Sequence, residues 1–480
     1  MKSRVLPFRP NPGSERSAPG AAWSRRQFLR AGALSAVAAP WLVSCANLRP
    51  APQARKIAPG SKLQHACIGV AGMGWGDLHN FLSHPRVEIV ALCDVDSNNL
   101  DAAAKVVPGA RRYSDWRELL EKESNVDSVN VTVPDHMHFS IAYNAVQRGK
   151  NVYCQKPLCH DVAEVRALTQ AAIRRGVITQ LGTQVASSIH DRTAVIWLKE
   201  GRIGKVTHAY LCSNRPGAVE TYRLKGPRPA VGQDPPASLQ WNLWLGTAPV
   251  RPYAPDIYHP TKWRAWQDFG TGWSGDIGCH IFDPVWKGIS LTPPLTVRAE
   301  VQQSWKDSPE RRADNWPQGD HITWTFPGNE QIAGKELLLE WFDGAYYPPE
   351  HIRKLYSEDL TEYPPESSML IGTEGSLLIP HNAPPQLLPE EKFKDVKRPQ
   401  LPPRNHYHHF VDACLGGPNT ESYFAQTGPM TEAILLGTLA IRMPEQELEW
   451  DPVELKIKNM AEVNHYLQRR YRDGWHVGKF

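Results

Sequence analysis

The run Ala66-Cys67-Ile68-Gly69-Val70-Ala71-Gly72-Met73-Gly74-Trp75-Gly76 is followed by an amphipathic stretch and then by Val87-Glu88-Ile89-Val90-Ala91-Leu92-Cys93-Asp94. An apolar strand enters a glycine-rich turn, a helix follows, and a second apolar strand ends on a carboxylate. That order suits a dinucleotide. Glycines admit a pyrophosphate close to the backbone, a helix N-terminus is partially positive, and the acid accepts hydrogen bonds from a ribose. Two registers compete, Gly69-x-Ala71-x-x-Gly74 and Gly72-x-Gly74-x-Gly76, the second one residue short. The expected cofactor contacts of the turn are Gly69, Gly72, Met73 and Gly74. Asp94 lies near the ~20-residue offset at which the acid is expected. A carboxylate there would repel a ribose 2′-phosphate, so NAD is expected rather than NADP.

Outward from this turn, strands are predicted at 66–71, 87–93, 127–133, 151–154 and 177–182, with helices at about 75–84, 97–106, 115–122, 137–148 and 161–175. Apolar strands with little alternation are buried on both faces, so the reading is an α/β Rossmann domain over 64–182 with a parallel, doubly wound sheet. Its ligand belongs beyond the carboxyl ends of the strands. Besides the glycine turn, two segments lie there. Thr132-Val133-Pro134-Asp135-His136-Met137-His138 contributes Thr132, Pro134 and His138 as cofactor candidates, and Cys154-Gln155-Lys156-Pro157-Leu158 contributes Gln155 and Lys156. A proline disfavours the helical region for its predecessor, which would turn Lys156 toward the cleft; an ordinary surface lysine is the other reading of this segment. His136 and His138 have no third partner at a metal-ligand spacing, so no metal is expected.

Before the domain, Ser24-Arg25-Arg26-Gln27-Phe28-Leu29-Arg30 and the apolar run 31–43 form a twin-arginine export pattern, too short to span a bilayer. Leu42-Val43-Ser44-Cys45 resembles a lipobox, which would place a lipid anchor on Cys45. The expectation is a leader over 1–45, a proline-bearing linker over 46–63 and a periplasmic or periplasm-facing location. The net charge of +4 partly reflects leader arginines, and no basic block or aromatic ribonucleoprotein motif occurs, so nucleic acid is not an expected partner. Eight cysteines lack a Cys-x-x-Cys pair; most read as small buried hydrophobes, with a Cys154–Cys159 disulfide conceivable.

After 182 the alternation stops. A helix is predicted over 184–200, strands at 205–213, 296–304, 321–326, 335–342, 368–372 and 376–380, and closing helices at 405–415 and 429–443. The second domain, 183–480, is thus α+β with a large, mostly antiparallel sheet. Its densest chemistry is Trp263-Arg264-Ala265-Trp266-Gln267-Asp268-Phe269-Gly270-Thr271-Gly272-Trp273-Ser274-Gly275-Asp276-Ile277-Gly278-Cys279-His280. Asp276 and His280 are four apart, one helical turn, and a carboxylate beside an imidazole suits a general base; a surface ion pair is the other reading. Trp241, Trp244, Trp263, Trp266 and Trp273 crowd this region, and aromatic faces pack on sugar C–H faces. Gln184, Trp263, Arg264 and Trp273 are the substrate-binding candidates.

Together the glycine turn, Pro134…His138, Gln155-Lys156-Pro157, Asp276-x-x-x-His280 and Gly372-Thr-Glu-Gly-Ser-Leu377 resemble the Gfo/Idh/MocA family, in its exported bacterial branch. The likeness covers nearly everything after about residue 63. It implies an NAD(H)-dependent oxidoreductase that oxidises a ring hydroxyl of a sugar, glycoside or cyclitol. It further implies catalytic roles for Lys156, Asp276 and His280, with His280 as general base, and oligomer contacts through the second sheet. Relatives that use transient oxidation to cleave glycosides, or that only bind sugar, are the alternatives. One departure stands out: where the family carries Glu before the lysine, this chain has Gln155.

Overall fold

The computed structural model describes residues 56–214, 228–344 and 346–477. The twin-arginine pattern, Cys45 and residues 215–227 of the proline-rich stretch lie outside them. The described residues form one compact unit holding two sheets.

The first sheet contains β1 (Leu63–Ile68), β2 (Val87–Cys93), β3 (Arg111–Tyr113), β4 (Ser128–Val131), β5 (Asn151–Cys154) and β6 (Thr179–Leu181), all parallel, in the order β3-β2-β1-β4-β5-β6. Crossovers are α1 (Met73–Leu82), α2 (Ser97–Val106), α3 (Trp116–Lys122), α4 (Asp135–Gln147) and α5 (Val162–Arg175). Local chemistry sets their ends. Asp96 and Asp115 cap α2 and α3 through Asn98 N and Arg117 N, Asp161 with Glu164 makes a capping box on α5, and Gly176 stops α5 in a left-handed conformation. The order reverses between β1 and β4, where the connections leave in opposite directions and open a crevice at the carboxyl edge.

After α6 (Ile189–Lys199) the second sheet contains β7 (Val206–Ser213), β8 (Thr296–Val301), β9 (Asp320–Pro327), β10 (Glu336–Asp343), β11 (Glu366–Gly372), β12 (Ser376–Pro380), β13 (Gln386–Leu388), β14 (Leu448–Asp451) and β15 (Lys456–Ile457). Their order is β13-β12-β11-β7-β10-β9-β8-β14-β15, antiparallel except for the β7–β10 pair.

Helices α7 (Gly272–Gly288) and α9 (Phe424–Arg442) join the sheets, and α8 (His406–Cys414) packs on α1. Small residues let them approach closely. A Cβ on Gly428 of α9 would sit 2.2 Å from the Thr169 hydroxyl of α5, and one on Gly437 would sit 2.5 Å from Trp324 of β9. Fifteen of the seventeen α7 residues are buried, so its polar side chains must find partners inside the protein. Downstream of β15 the chain returns to the first sheet, where Ala163 N donates to Leu467 O at 3.0 Å and Arg469 pairs with Asp161 and Glu164.

Candidate functional site

A cavity of about 310 Å³ opens at the crevice between β1 and β4. Gly69 ends β1 at φ 84°, and a Cβ there would lie 1.9 Å from Thr132 O at the end of β4. A Cβ on Gly74 would lie 2.2 Å from Gly69 O, so α1 is pressed against the strand it follows. Gly76 has open space around it, which selects the register Gly69-x-Ala71-x-x-Gly74. Gly72 caps α1 without a side-chain acceptor and, with Met73, borders the cavity, leaving the helix N-terminus facing open space. Across the cavity, Asp94 accepts from Val70 N (3.0 Å), Asp96 N (2.9 Å) and Asn99 Nδ2 (3.3 Å). Burial raises its carboxyl against these bonds. An uncapped helix end opposite a strand-terminal carboxylate, separated by a backbone-lined gap, fits the phosphates and ribose of a dinucleotide. Gly69, Ala71, Gly72, Met73 and Asp94 would hold the adenosine side, and Thr132, Pro134, Gln155 and Lys156 line the other end.

A strap from the second domain is bonded to the residues just after Asp94. Ser97 N donates to Ser238 O (2.9 Å) and Gln240 N to Val95 O (2.8 Å), so the loop after β2 is bonded to the residues preceding the short helix Trp241–Leu245. Farther along, Trp244, His259, Thr261 and Trp263 form a wall of the cavity.

At the inner end, Lys156 Nζ donates to Asp276 Oδ1, and Arg264 Nε donates to Asp276 Oδ2 at 3.0 Å. The Arg264 guanidinium also stacks on Trp263, 4.3 Å from its ring centre. Burial alone would raise Asp276, but the two cations outweigh it and hold its carboxyl at about 2. Residues 120 positions apart are thus joined in an ionic pair with 15% and 8% exposed side chains.

This arrangement corrects the expectation that Asp276 orients His280. Both oxygens of Asp276 are occupied by Lys156 and Arg264, and no Asp276–His280 hydrogen bond is formed among the described residues. His280 lies one turn along α7, outside the cavity lining, with its ring 5.2 Å from that of His381 and its Nδ1 unpartnered. Burial, reinforced by the Lys156 charge, pushes its basicity well below the usual imidazole range.

Other placements also differ. His138 does not border the cavity. Its ring nitrogens lie 2.7 Å from Pro157 O and 2.8 Å from Val133 O, bracing the loops after β4 and β5. Gln184 donates to Tyr153 and Tyr407 behind β5, and Trp273 donates to Ser213 O (3.0 Å), tying α7 to β7; neither lines the cavity. Of the five tryptophans, Trp244 and Trp263 face the cavity, while Trp241 stacks on Trp244 at 4.7 Å and Trp266 is fully buried. Their crowding is largely the core of the strap. Cys154 and Cys159 are both free.

Two participants escaped the sequence reading. Asp77 of α1 is buried and accepts from Thr132 Oγ1 (2.7 Å), Gln155 Nε2 (3.1 and 3.0 Å) and Tyr407 Oη (2.7 Å). The signal was a carboxylate on the same helical face as Leu78 and Phe81. Gln155 therefore donates to a buried acid, a task a glutamate could not perform when ionised. Asp135, at the start of α4, lines the cavity and accepts from Thr271 Oγ1 at 3.0 Å.

Residues 63–183 match the oxidoreductase family described by its NAD-binding Rossmann fold, and residues 213–323 match that family's C-terminal alpha/beta domain. D-apiose dehydrogenase of Paraburkholderia graminis is 34% identical over 116 residues, 24% of this chain and 31% of that protein. Levoglucosan dehydrogenase of Pseudarthrobacter phenanthrenivorans is 27% identical over 180 residues, 36% of this chain and 37% of that protein. The chain spans about a third of the length of the curated relatives it matches. Among solved structures, the WlbA dehydrogenase from Bordetella pertussis, in complex with NADH and UDP-GlcNAcA, superposes with a TM-score of 0.56 at 14% identity, covering 81% of this chain and 99% of that one. Residues 63–183 and 213–323 thus carry the two domains of the Gfo/Idh/MocA oxidoreductase family, the NAD-binding one first.

Proposed function

We propose that this protein oxidises a ring hydroxyl of a sugar, glycoside or cyclitol, using an NAD that stays bound through turnover. The observation that carries the reading is the placement of the Lys156 ammonium, fixed by Asp276, in the same cavity as the glycine turn and Asp94. Bound oxidised nicotinamide supplies the acceptor for a hydride from the carbinol carbon. Lys156 donates a hydrogen bond to the reacting oxygen and stabilises the charge that develops there as the proton leaves. Because Asp276 already holds the amine and Arg264 in turn fixes Asp276, little reorganisation accompanies the reaction. Trp263 and Trp244 offer apolar faces to a sugar ring and reduce the access of water.

Retention of the nucleotide is supported by the strap bonded beside Asp94, which holds the loop after β2 against residues 238–240. It also suits export after folding, which the twin-arginine pattern calls for: the nucleotide would be loaded in the cytoplasm and carried out with the protein. The named substrates of the D-apiose and levoglucosan relatives lie within the proposed class. The test is the absorbance of untreated protein on addition of a panel of aldoses, glycosides and cyclitols. Growth of reduced-nicotinamide absorbance with one of them is the expected result. Release of an aglycone without net reduction would replace the dehydrogenase by a glycoside-cleaving activity, and no spectral response to any polyol would overturn the reading.

A further inference from the structure

We propose that Asp77 is a positioning residue for Lys156, acting on it through Gln155. The consequence for turnover rests on the dehydrogenase reading above. Asp77 faces inward from α1, fully buried, and its carboxylate takes donors from three other elements. Thr132 Oγ1, just past β4, donates at 2.7 Å, and Tyr407 Oη of α8 donates at 2.7 Å. Gln155 Nε2, just past β5, reaches both carboxylate oxygens at 3.1 and 3.0 Å. Thr132 and Gln155 also line the cavity, so one carboxylate holds two of its walls in register.

The network leaves little freedom of arrangement. Thr132 Oγ1 accepts from Asn130 Nδ2 at 2.8 Å, so its single proton goes to Asp77. Gln155 cannot recede: a Cβ on Gly182 would already lie 2.4 Å from its Oε1, and its backbone N donates to Val131 O at 3.0 Å. Lys156 follows directly. On its other side, Pro157 O lies 2.7 Å from a ring nitrogen of His138. The lysine is thus pinned through both neighbours, and from that anchor its amine reaches Asp276. The pin at Asp77 is charge-assisted, which makes it the stronger of the two. Without the carboxylate, three buried donors lose their acceptor, and the residue that precedes the lysine loses its hold.

Two measurements test the assignment, one of them independent of turnover. Trace acetylation of the purified protein with acetic anhydride, read residue by residue by mass spectrometry, reports how often the Lys156 amine leaves its carboxylate. Asp77→Ala and the near-isosteric Gln155→Met should each raise its labelling by about tenfold, and the double variant should raise it no further. Lys150 is the internal reference, its amine held 2.7 and 2.6 Å from Ser124 O and Val126 O in the same domain; its labelling should stay constant. Gln155→Met leaves Asp77 with two donors, so it carries the test should Asp77→Ala fail to fold. An unchanged Lys156 in Gln155→Met refutes the assignment. So do effects that multiply in the double variant, or a rise at Lys150 that matches Lys156, since either means a general loosening around α1. In turnover, with a polyol that the wild type oxidises, Asp77→Ala should lower kcat by about 10–10²-fold, with nucleotide affinity changed less than threefold. Coupled labelling in a protein that oxidises no polyol would instead refute the dehydrogenase reading while leaving Asp77 as the anchor of Lys156.

Discussion

Gln155→Glu would restore the residue that the family resemblance leads one to expect, and the structure says it will harm this protein. The amide donates to both oxygens of Asp77, at 3.1 and 3.0 Å, in a buried pocket where Thr132 and Tyr407 supply the remaining donors. A glutamate turns that donor into a second carboxylate. If both ionise at about 3 Å, their repulsion at an effective dielectric of 20 is roughly 5 kcal/mol. The alternative is to hold one proton, which restores a donor at the cost of about 1.4 kcal/mol for each pH unit above the ordinary glutamate value of about 4.3. At pH 8 that also comes to about 5 kcal/mol, and at pH 5 to about 1 kcal/mol. The sign follows from linkage: an acid whose folded pKa is raised weakens the protein only above its unfolded pKa, and the deficit grows with pH until the folded pKa is passed. Burial has already raised Asp77, so the pair starts from the unfavourable side. Urea unfolding followed by tryptophan fluorescence at pH 5 and pH 8 reads the difference. A deficit that is the same at both values, or none at pH 8, would refute the argument.

Other outcomes follow from the same geometry. Lys156→Ala should reduce kcat by about 10²–10³-fold, the usual loss for a donor to developing oxyanion charge, with nucleotide affinity within a few-fold by fluorescence titration. Asp94→Ser removes the carboxylate beside the ribose site and should raise the NADP-to-NAD affinity ratio by about tenfold, measured by competitive titration. Arg469→Ala strips the cation from Asp161 and Glu164, which are buried, and should cost about 3–5 kcal/mol in urea unfolding although residue 469 lies far from the nucleotide turn in sequence.

The first sheet was legible because its strands are apolar on both faces and its helices carry their own punctuation, such as Asp96 and Gly176. The short strands β3, β13, β14 and β15 carry too few residues to show a period, and they exist because longer neighbours offer an edge. In the site, spacing put Asp276 and His280 on one helical face but could not say that cations from residues 156 and 264 would claim the carboxylate first. Gln184 and Trp273 sit close in sequence to chemistry that the fold turns away from them. Asp77 and Asp135 were hidden for the opposite reason: each is an ordinary acid until burial and its neighbours change what it can do.

The N-terminal sheet finds its last partners at the far end of the chain. Tyr407 of α8 reaches Asp77, Thr420 Oγ1 donates to Thr179 O at 2.7 Å, and Arg469 closes on the capping box of α5. A ribosome that has released only the first two hundred residues has therefore produced a nucleotide fold in which Asp77 lacks one of its donors, Asp161 and Glu164 lack their arginine and Thr179 O lacks its partner. Maturation must wait for synthesis of the tail, which makes completeness of translation a condition for a stable nucleotide pocket. A quality-control step that senses this pocket would, by that route, be checking that residues as late as Arg469 are in place.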